Sequence, residues 1–164
     1  MMTARVTNEM EVGVPADDVW AVYGSPDLPK LFVQLMPQVY KRNDVLEGDG
    51  TVGTVILIEL DDALPEPRIW KEKFIKIDHQ EREKLVRVIE GGFLDIGFRS
   101  FDIIFKVIEK DASSCIIQST TAFELDDKFE DNANRITAGT LWWVAKAISN
   151  YVIQNKSKSK SNNN

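Results

Sequence analysis

The sequence predicts an α+β fold: a curved antiparallel sheet of seven strands wrapped around a long C-terminal helix, with two short helices between the first and second strands and an internal cavity. Three observations predict it. Segments of period-two hydrophobicity follow one another with breaks too short for parallel crossovers, which need about a dozen residues or more. One long amphipathic stretch near the end of the chain supplies the cover that a one-faced sheet requires. The length of 164 residues suits a single domain with a core of its own.

Val6, Asn8, Met10, Val12 and Val14 alternate with Arg5, Thr7, Glu9 and Glu11, the pattern of a half-buried strand. Pro15-Ala16-Asp17-Asp18 opens a short helix carrying Val19, Val22 and Tyr23, with acidic residues where the helix dipole favours them. A second helix begins near Asp27, with Pro29 in its first turn and Leu31, Phe32, Leu35 and Met36 as an apolar stripe ended by Pro37. Strands are then expected over Val39–Leu46, Thr51–Leu60, Arg68–Ile77, Glu83–Glu90, Phe98–Ile108 and Cys115–Glu124. The breaks between them are turn-forming: Gly48-Asp49-Gly50, Asp61-Asp62 with Pro65 and Pro67, Asp78-His79-Gln80, Gly91-Gly92 and Asp111-Ala112-Ser113. Leu141, Val144, Ala145, Ile148 and Val152 recur at helical spacing, and N-caps at Asp126-Asp127 or Asp131-Asn132 place the last helix over roughly 127–154. Ala138, Gly139, Ala145 and Ala147 are small enough to leave space between this helix and the sheet. The expected domain is 1–155; residues 156–164 have nothing to bury and are expected to be a disordered tail.

The net charge of −6, from 20 basic and 26 acidic residues, argues against binding through phosphates, so no nucleic-acid partner is expected. No apolar run approaches the roughly 20 residues of a spanning helix, so no membrane is expected either. The opening Met1-Met2-Thr3-Ala4-Arg5-Val6 lacks the apolar core of a signal peptide, and Cys115 stands alone; a cytoplasmic setting is the default. One histidine and one cysteine make no structural zinc site, and His79 lies in a polar turn where solvation is the simpler reading. The inventory favours carboxylate and lysine chemistry, or none.

Gly48-Asp49-Gly50-Thr51-Val52-Gly53 matches a dinucleotide-binding pattern by letter, but it leads into the strand Thr54–Ile58 rather than a helix. Without a helix N-terminus to meet a pyrophosphate it reads as a hairpin turn. Trp142 and Trp143 point about 100° apart on a helix, so one should pack on the sheet and the other lie at a rim.

The middle strands carry the more specific signal. Period two places Trp70, Glu72 and Phe74 on one face, opposite Lys71 and Lys73. In the next strand Lys84, Val86 and Val88 share a face, opposite Leu85, Arg87 and Ile89. With a turn at Asp78–Glu81, both strands aim an ionisable group, Glu72 and Lys84, into one interior. Buried charges are costly unless paired or used. A solvated hairpin with alternating charges fits the same spacing.

The runs GDGTVGT, WKEKFIKID, VIEGGFLDIGF, SSCIIQSTT and AISNYVIQ resemble the plant pathogenesis-related class 10 family of the major birch pollen allergen, and within it the norcoclaurine synthase-like branch. The resemblance extends from about Asn8 to Asn155. It implies a tunnel between sheet and helix, and a Pictet–Spengler condensation of dopamine with 4-hydroxyphenylacetaldehyde that needs no cofactor. The partners it implies are a small aromatic amine and an aldehyde, with the chain a monomer or weak homodimer. The family's catalytic glutamate falls on Glu72 and its catalytic lysine on Lys84, while Trp70, Phe74, Phe93 and Ile103 line the substrate site. The tyrosine that opens the family's YKEKF run is Trp70 here, an indole that donates a hydrogen bond but cannot serve as a phenolic acid. The family's inward aspartate is Ile103, and Asp102 has the outward parity. A norbelladine synthase-like enzyme, which forms an imine from tyramine and a hydroxylated benzaldehyde, shares the Lys76-Ile77-Asp78-His79 run. A non-catalytic carrier of a hormone, flavonoid or alkaloid is the remaining alternative.

Overall fold

Alternation sets the edge of the sheet. In β1 (Met2–Val12) the residues Ala4, Val6, Asn8, Met10 and Val12 turn inward, and Arg5, Thr7, Glu9 and Glu11 face water. The computed structural model that carries this strand describes residues 1–162. β1 pairs without a register break along β7 (Ser114–Leu125), from Met2 opposite Leu125 to Val12 opposite Cys115. Five further strands complete one antiparallel sheet: β2 (Tyr40–Glu47), β3 (Val55–Leu60), β4 (Ile69–Asp78), β5 (Glu83–Gly91) and β6 (Phe98–Asp111). Their order across the sheet is β1-β7-β6-β5-β4-β3-β2. Consecutive β1 and β2 therefore lie on opposite edges, and α1 (Ala16–Tyr23) and α2 (Leu28–Leu35) bridge them. The long helix α3 (Gly139–Asn162) lies in the concave side, where Leu141, Val144, Ala145 and Ile148 pack with Val86, Phe105, Val107 and Ile117 in one core. None of the described helices is long and apolar enough to cross a membrane.

The glycine-rich segment is a turn between β2 and β3, as expected, but the strand expected from Thr51 starts only at Val55, and Thr51–Gly53 belong to the turn. Gly48, Gly50 and Gly53 have φ of 87°, 96° and 93°, a region that side chains disfavour. Gly50 also touches the preceding helix connection, where a Cβ would lie 2.5 Å from the Pro26 carbonyl oxygen. Its amide donates to Thr54 Oγ1 at 2.8 Å. Gly50→Ala is expected to lower stability by about 1–3 kcal/mol, read as a lower urea midpoint. A midpoint equal to the parent's would contradict the packing at Pro26.

Three expectations about the C-terminal third are corrected. The helix predicted from Asp127 begins at Gly139, and 127–135 forms tight 3₁₀ turns with a kink at Phe129. Asp126 caps those turns through the Lys128 amide at 3.1 Å, and Asn132 donates to the Ile96 carbonyl at 2.8 Å. Short polar side chains that bond locally or to another loop in this way compete with regular helix. At the other end α3 runs on to Asn162, where a disordered tail was expected from Lys156. Lys156 Nζ donates to Asp18 Oδ2 of α1 at 2.8 Å, and lysine is a good helix former that extends a helix already nucleated. The last two residues of the expected tail, 163–164, lie outside the described residues. Finally, neither Trp142 nor Trp143 packs on the sheet. Both are exposed, Trp143 by 65%, and their rings meet edge to face at 4.9 Å. They lie in the first turns of α3, while the helix's buried stripe runs through Leu141, Val144 and Ala145.

Candidate active site

The hairpin of β4 and β5 carries the ionisable pair. Its register sets Glu72 opposite Val88, Phe74 opposite Val86 and Ile77 opposite Lys84. Glu72 is 7% exposed and Lys84 1%, so the solvated-hairpin reading does not hold. The opposite face takes the charges that remain in water: Lys71 pairs with Glu90 and Arg87 with Asp102. Asp102 points outward, as its parity predicts, and Ile103 takes the inward position.

Each buried charge is held by an aromatic neighbour. Trp70 Nε1 donates to Glu72 Oε1 at 2.9 Å. Lys84 Nζ lies 4.0 Å from the centre of the Phe74 ring, a cation–π contact, and has no hydrogen-bond partner among the described residues. The two groups therefore act on each other through space, with Phe74 under the amine. Burial pushes the Glu72 carboxyl up to about 7, against the pull of the Trp70 hydrogen bond and the Lys84 charge. Burial lowers the Lys84 ammonium to about 8, while Glu72 draws it back up. Both groups thus change protonation close to neutrality, the range in which acid–base catalysts work best.

Between sheet and α3 lies a cavity of about 770 Å³, large enough for two small aromatic molecules by the usual size of ligand sites. The structure brings Trp70, Glu72, Phe74, Lys84, Phe93 and Ile103 together on its walls. Phe93 stacks on Phe101 with ring centres 4.6 Å apart and planes 3° from parallel, making a flat apolar surface at one end. Sequence reasoning missed Phe101, Thr121, Tyr40 and Asn43, which also line the cavity. Phe101 shares the inward parity of Ile103 and could have been found from it. Tyr40 and Asn43 are three residues apart, which strict alternation assigns to opposite faces. His79 takes no part in this cavity: it is exposed in the β4–β5 turn, where its Nδ1 accepts from the Trp20 indole at 3.1 Å. No cluster of histidine, cysteine, aspartate and glutamate among the described residues is arranged to hold a metal.

The family model of pathogenesis-related protein Bet v 1 matches residues 1–155. The chain belongs to the Bet v 1 family. Among curated members, norbelladine synthase of Narcissus pseudonarcissus is 37% identical over 95% of this chain and 96% of its own length. S-norcoclaurine synthase 1 of Papaver somniferum is 40% identical, covering 95% and 68% respectively. Among solved Bet v 1 folds, norcoclaurine synthase of Thalictrum flavum in complex with dopamine and hydroxybenzaldehyde superposes with a TM-score of 0.87 at 35% identity, covering 93% of this chain and 88% of that one. A point mutant of the Thalictrum enzyme with a transition-state analogue gives a TM-score of 0.89 at 35% identity, covering 94% and 97%. The sheet gripping a long helix, expected from the sequence, is the Bet v 1 architecture that these structures share.

Proposed function

We propose that the protein catalyses a cofactor-independent, Pictet–Spengler-type condensation of a dopamine-like aryl-ethylamine with an aromatic aldehyde such as 4-hydroxyphenylacetaldehyde. The observation that carries this reading is a buried carboxyl and a buried amine, both brought near neutrality, on the wall of one aromatic-lined cavity. The solved relative that holds dopamine and hydroxybenzaldehyde supports the same substrate class.

The chemistry needs an acid, a negative environment and a base. Attack of the neutral amine on the aldehyde carbon gives a carbinolamine. The Lys84 ammonium donates a proton to its hydroxyl, which leaves as water and yields an iminium ion. Ionised Glu72, held by the Trp70 indole, stabilises that cation in surroundings of low polarity. The electron-rich ring then closes on the iminium carbon, and Glu72 takes the ring proton as aromaticity returns. Phe74, Phe93 and Trp70 orient the two rings, which converts a bimolecular encounter into a local reaction. Trp70 fills the place of the family's tyrosine as a hydrogen-bond donor only.

A second reading has its own observation. Ile103 replaces the family's inward aspartate, leaving Glu72 as the buried carboxylate of the cavity wall, while Glu66 of the lining is exposed and paired with Arg68. Such a site can form an imine and release it uncyclised, the product class of a norbelladine synthase-like enzyme. One assay separates these readings. The chain is incubated with dopamine or tyramine and a panel of aromatic aldehydes, and products are resolved by chiral chromatography before and after borohydride treatment. Expected is a cyclised product enriched in one enantiomer. A reduced amine formed faster than in buffer, with no cyclised product, would favour the imine-forming reading. No product above buffer, with an apolar fluorophore still bound and displaced by aromatic ligands, would overturn both in favour of a carrier.

A further inference from the structure

We infer that Tyr40 and Asn43, at the start of β2, form a hydroxyl-binding subsite that selects a phenolic ring in one of the two reactants. The assignment of a reactant rests on the proposed condensation; the subsite itself does not.

The subsite exists because of an irregularity in the sheet. Tyr40 pairs with Leu60, Arg42 with Glu59 and Asn43 with Ile58, so β2 carries one extra residue against β3 at Lys41. This β-bulge cancels the parity of the strand. Tyr40 and Asn43 both turn inward, 9% and 8% exposed, while Lys41 and Arg42 turn out toward Glu59 and Asp62. Bulges beside functional sites commonly re-aim a side chain in this way.

The fold uses only part of the polar capacity that the bulge delivers. Asn43 Nδ2 donates to the Pro29 carbonyl of α2 at 3.1 Å. A carbonyl only accepts, so this contact fixes which end of the amide faces α2. The other end, Oδ1, is buried without a hydrogen-bond partner among the described residues, on a residue that lines the cavity. A buried acceptor left this way costs free energy that a donating ligand would recover. Tyr40 is the phenol of the cavity lining, its ring stacked on Phe32 of α2 with centres 5.4 Å apart. It feels the charge of Glu72, which places its hydroxyl in the electrostatic reach of the catalytic wall. The neighbouring lining residues Leu28, Met36, Ile56 and Ile58 are apolar.

The donor set names the ligand chemistry. Asn43 Oδ1 requires a donor, and the Tyr40 hydroxyl can both donate and accept. A substrate hydroxyl can give its proton to Asn43 and accept one from Tyr40. A carbonyl or ether oxygen cannot, because it would face Asn43 Oδ1 acceptor to acceptor. On an aromatic ring seated among these apolar walls, that hydroxyl is a phenol.

The test uses 4-ethylphenol and 4-ethylanisole, which differ by the methyl group that removes the donor, in calorimetric titrations of the full chain. The ether is the more apolar and would bind more tightly to a merely greasy cavity. Expected instead is binding of the phenol about tenfold tighter or more, the usual effect of leaving a buried acceptor unpaired. Asn43→Leu should bring the two ligands to within about twofold. Because that change also removes the bond to Pro29, Tyr40→Phe, which keeps the stack on Phe32, gives an independent reading and should reduce the phenol's advantage. Equal affinities in the parent, or a phenol preference that survives both substitutions, would overturn the subsite. The selection is measurable in a chain that makes no product, so absent turnover with a phenol preference would remove the condensation alone. Turnover without that preference would remove the subsite alone.

Discussion

Replacing Lys84 with methionine is expected to lower turnover by roughly 10²–10⁴-fold, the range for a positioned acid–base group, and to make the folded chain more stable. Both effects have one source. Burial lowers the Lys84 ammonium from 10.5 to about 8. For a group depressed in the folded state, the stability contribution is fully present only above the unfolded value and is lost as pH falls through the folded one. At pH 7 the chain therefore carries a charged amine at a cost of roughly 3 kcal/mol. Methionine has a similar length and no charge to desolvate. With the amine gone, Glu72 binds a proton more readily, and since it already titrates at about 7 this adds little at that pH. Urea unfolding at pH 7 checks the claim. A midpoint below the parent's would mean that Lys84 supports the fold rather than the chemistry, and full turnover would remove it from the mechanism.

Glu72→Gln tests the other half of the pair. The shape and the acceptor for the Trp70 indole are retained, and the charge and the base are lost. Turnover is expected to fall by roughly 10²–10⁴-fold. Ionised Glu72 and protonated Lys84 coexist best between about 7 and about 8, so the parent's rate should rise through the lower of these values. That rise belongs to the coupled pair rather than to one residue. The substrate amine adds its own titration, which cancels in the ratio of parent to variant. That ratio should climb as pH increases toward about 7 and then level; a ratio independent of pH would contradict the role of Glu72 as base. Stability shifts in the opposite sense. The Glu72 carboxyl is raised from 4.5 to about 7, so its favourable contribution is complete below about 4.5 and is lost as pH rises through about 7. Relative to the parent, Glu72→Gln should gain stability across that interval.

The inward positions of Glu72 and Lys84 were legible because strand parity is local: both sit among apolar residues at even spacing, and the extra residues of the β4–β5 pairing, Ile75 and Ile89, fall outside the runs Trp70–Phe74 and Lys84–Val88. Tyr40 and Asn43 were not, because the bulge at Lys41 is a property of the pairing with β3 rather than of β2 itself. The start of α3 was misplaced for a related reason. Asp126 and the segment from Asp131 carry capping residues, and the reach of Asn132 to Ile96, which favours a turn there, is a contact with another loop that no local pattern reveals. Near its far end α3 is tied through Lys156 to Asp18, a residue 138 positions away. The cavity volume is a gap between surfaces, and small residues on the helix permit it without fixing its size.

The pairing of β1 with β7 has a consequence for synthesis. β1 leaves the ribosome more than a hundred residues before its one neighbour in the described sheet, Ser114–Leu125. Until then a nascent Met2–Val12 has no ladder to join, and the sheet can grow from β2 through β6 but not acquire its other edge. Such long-range closure slows folding and leaves an open strand available to other chains. Elongation rate and chaperone access at that stage therefore act on the yield of folded protein alongside the stability of the finished molecule.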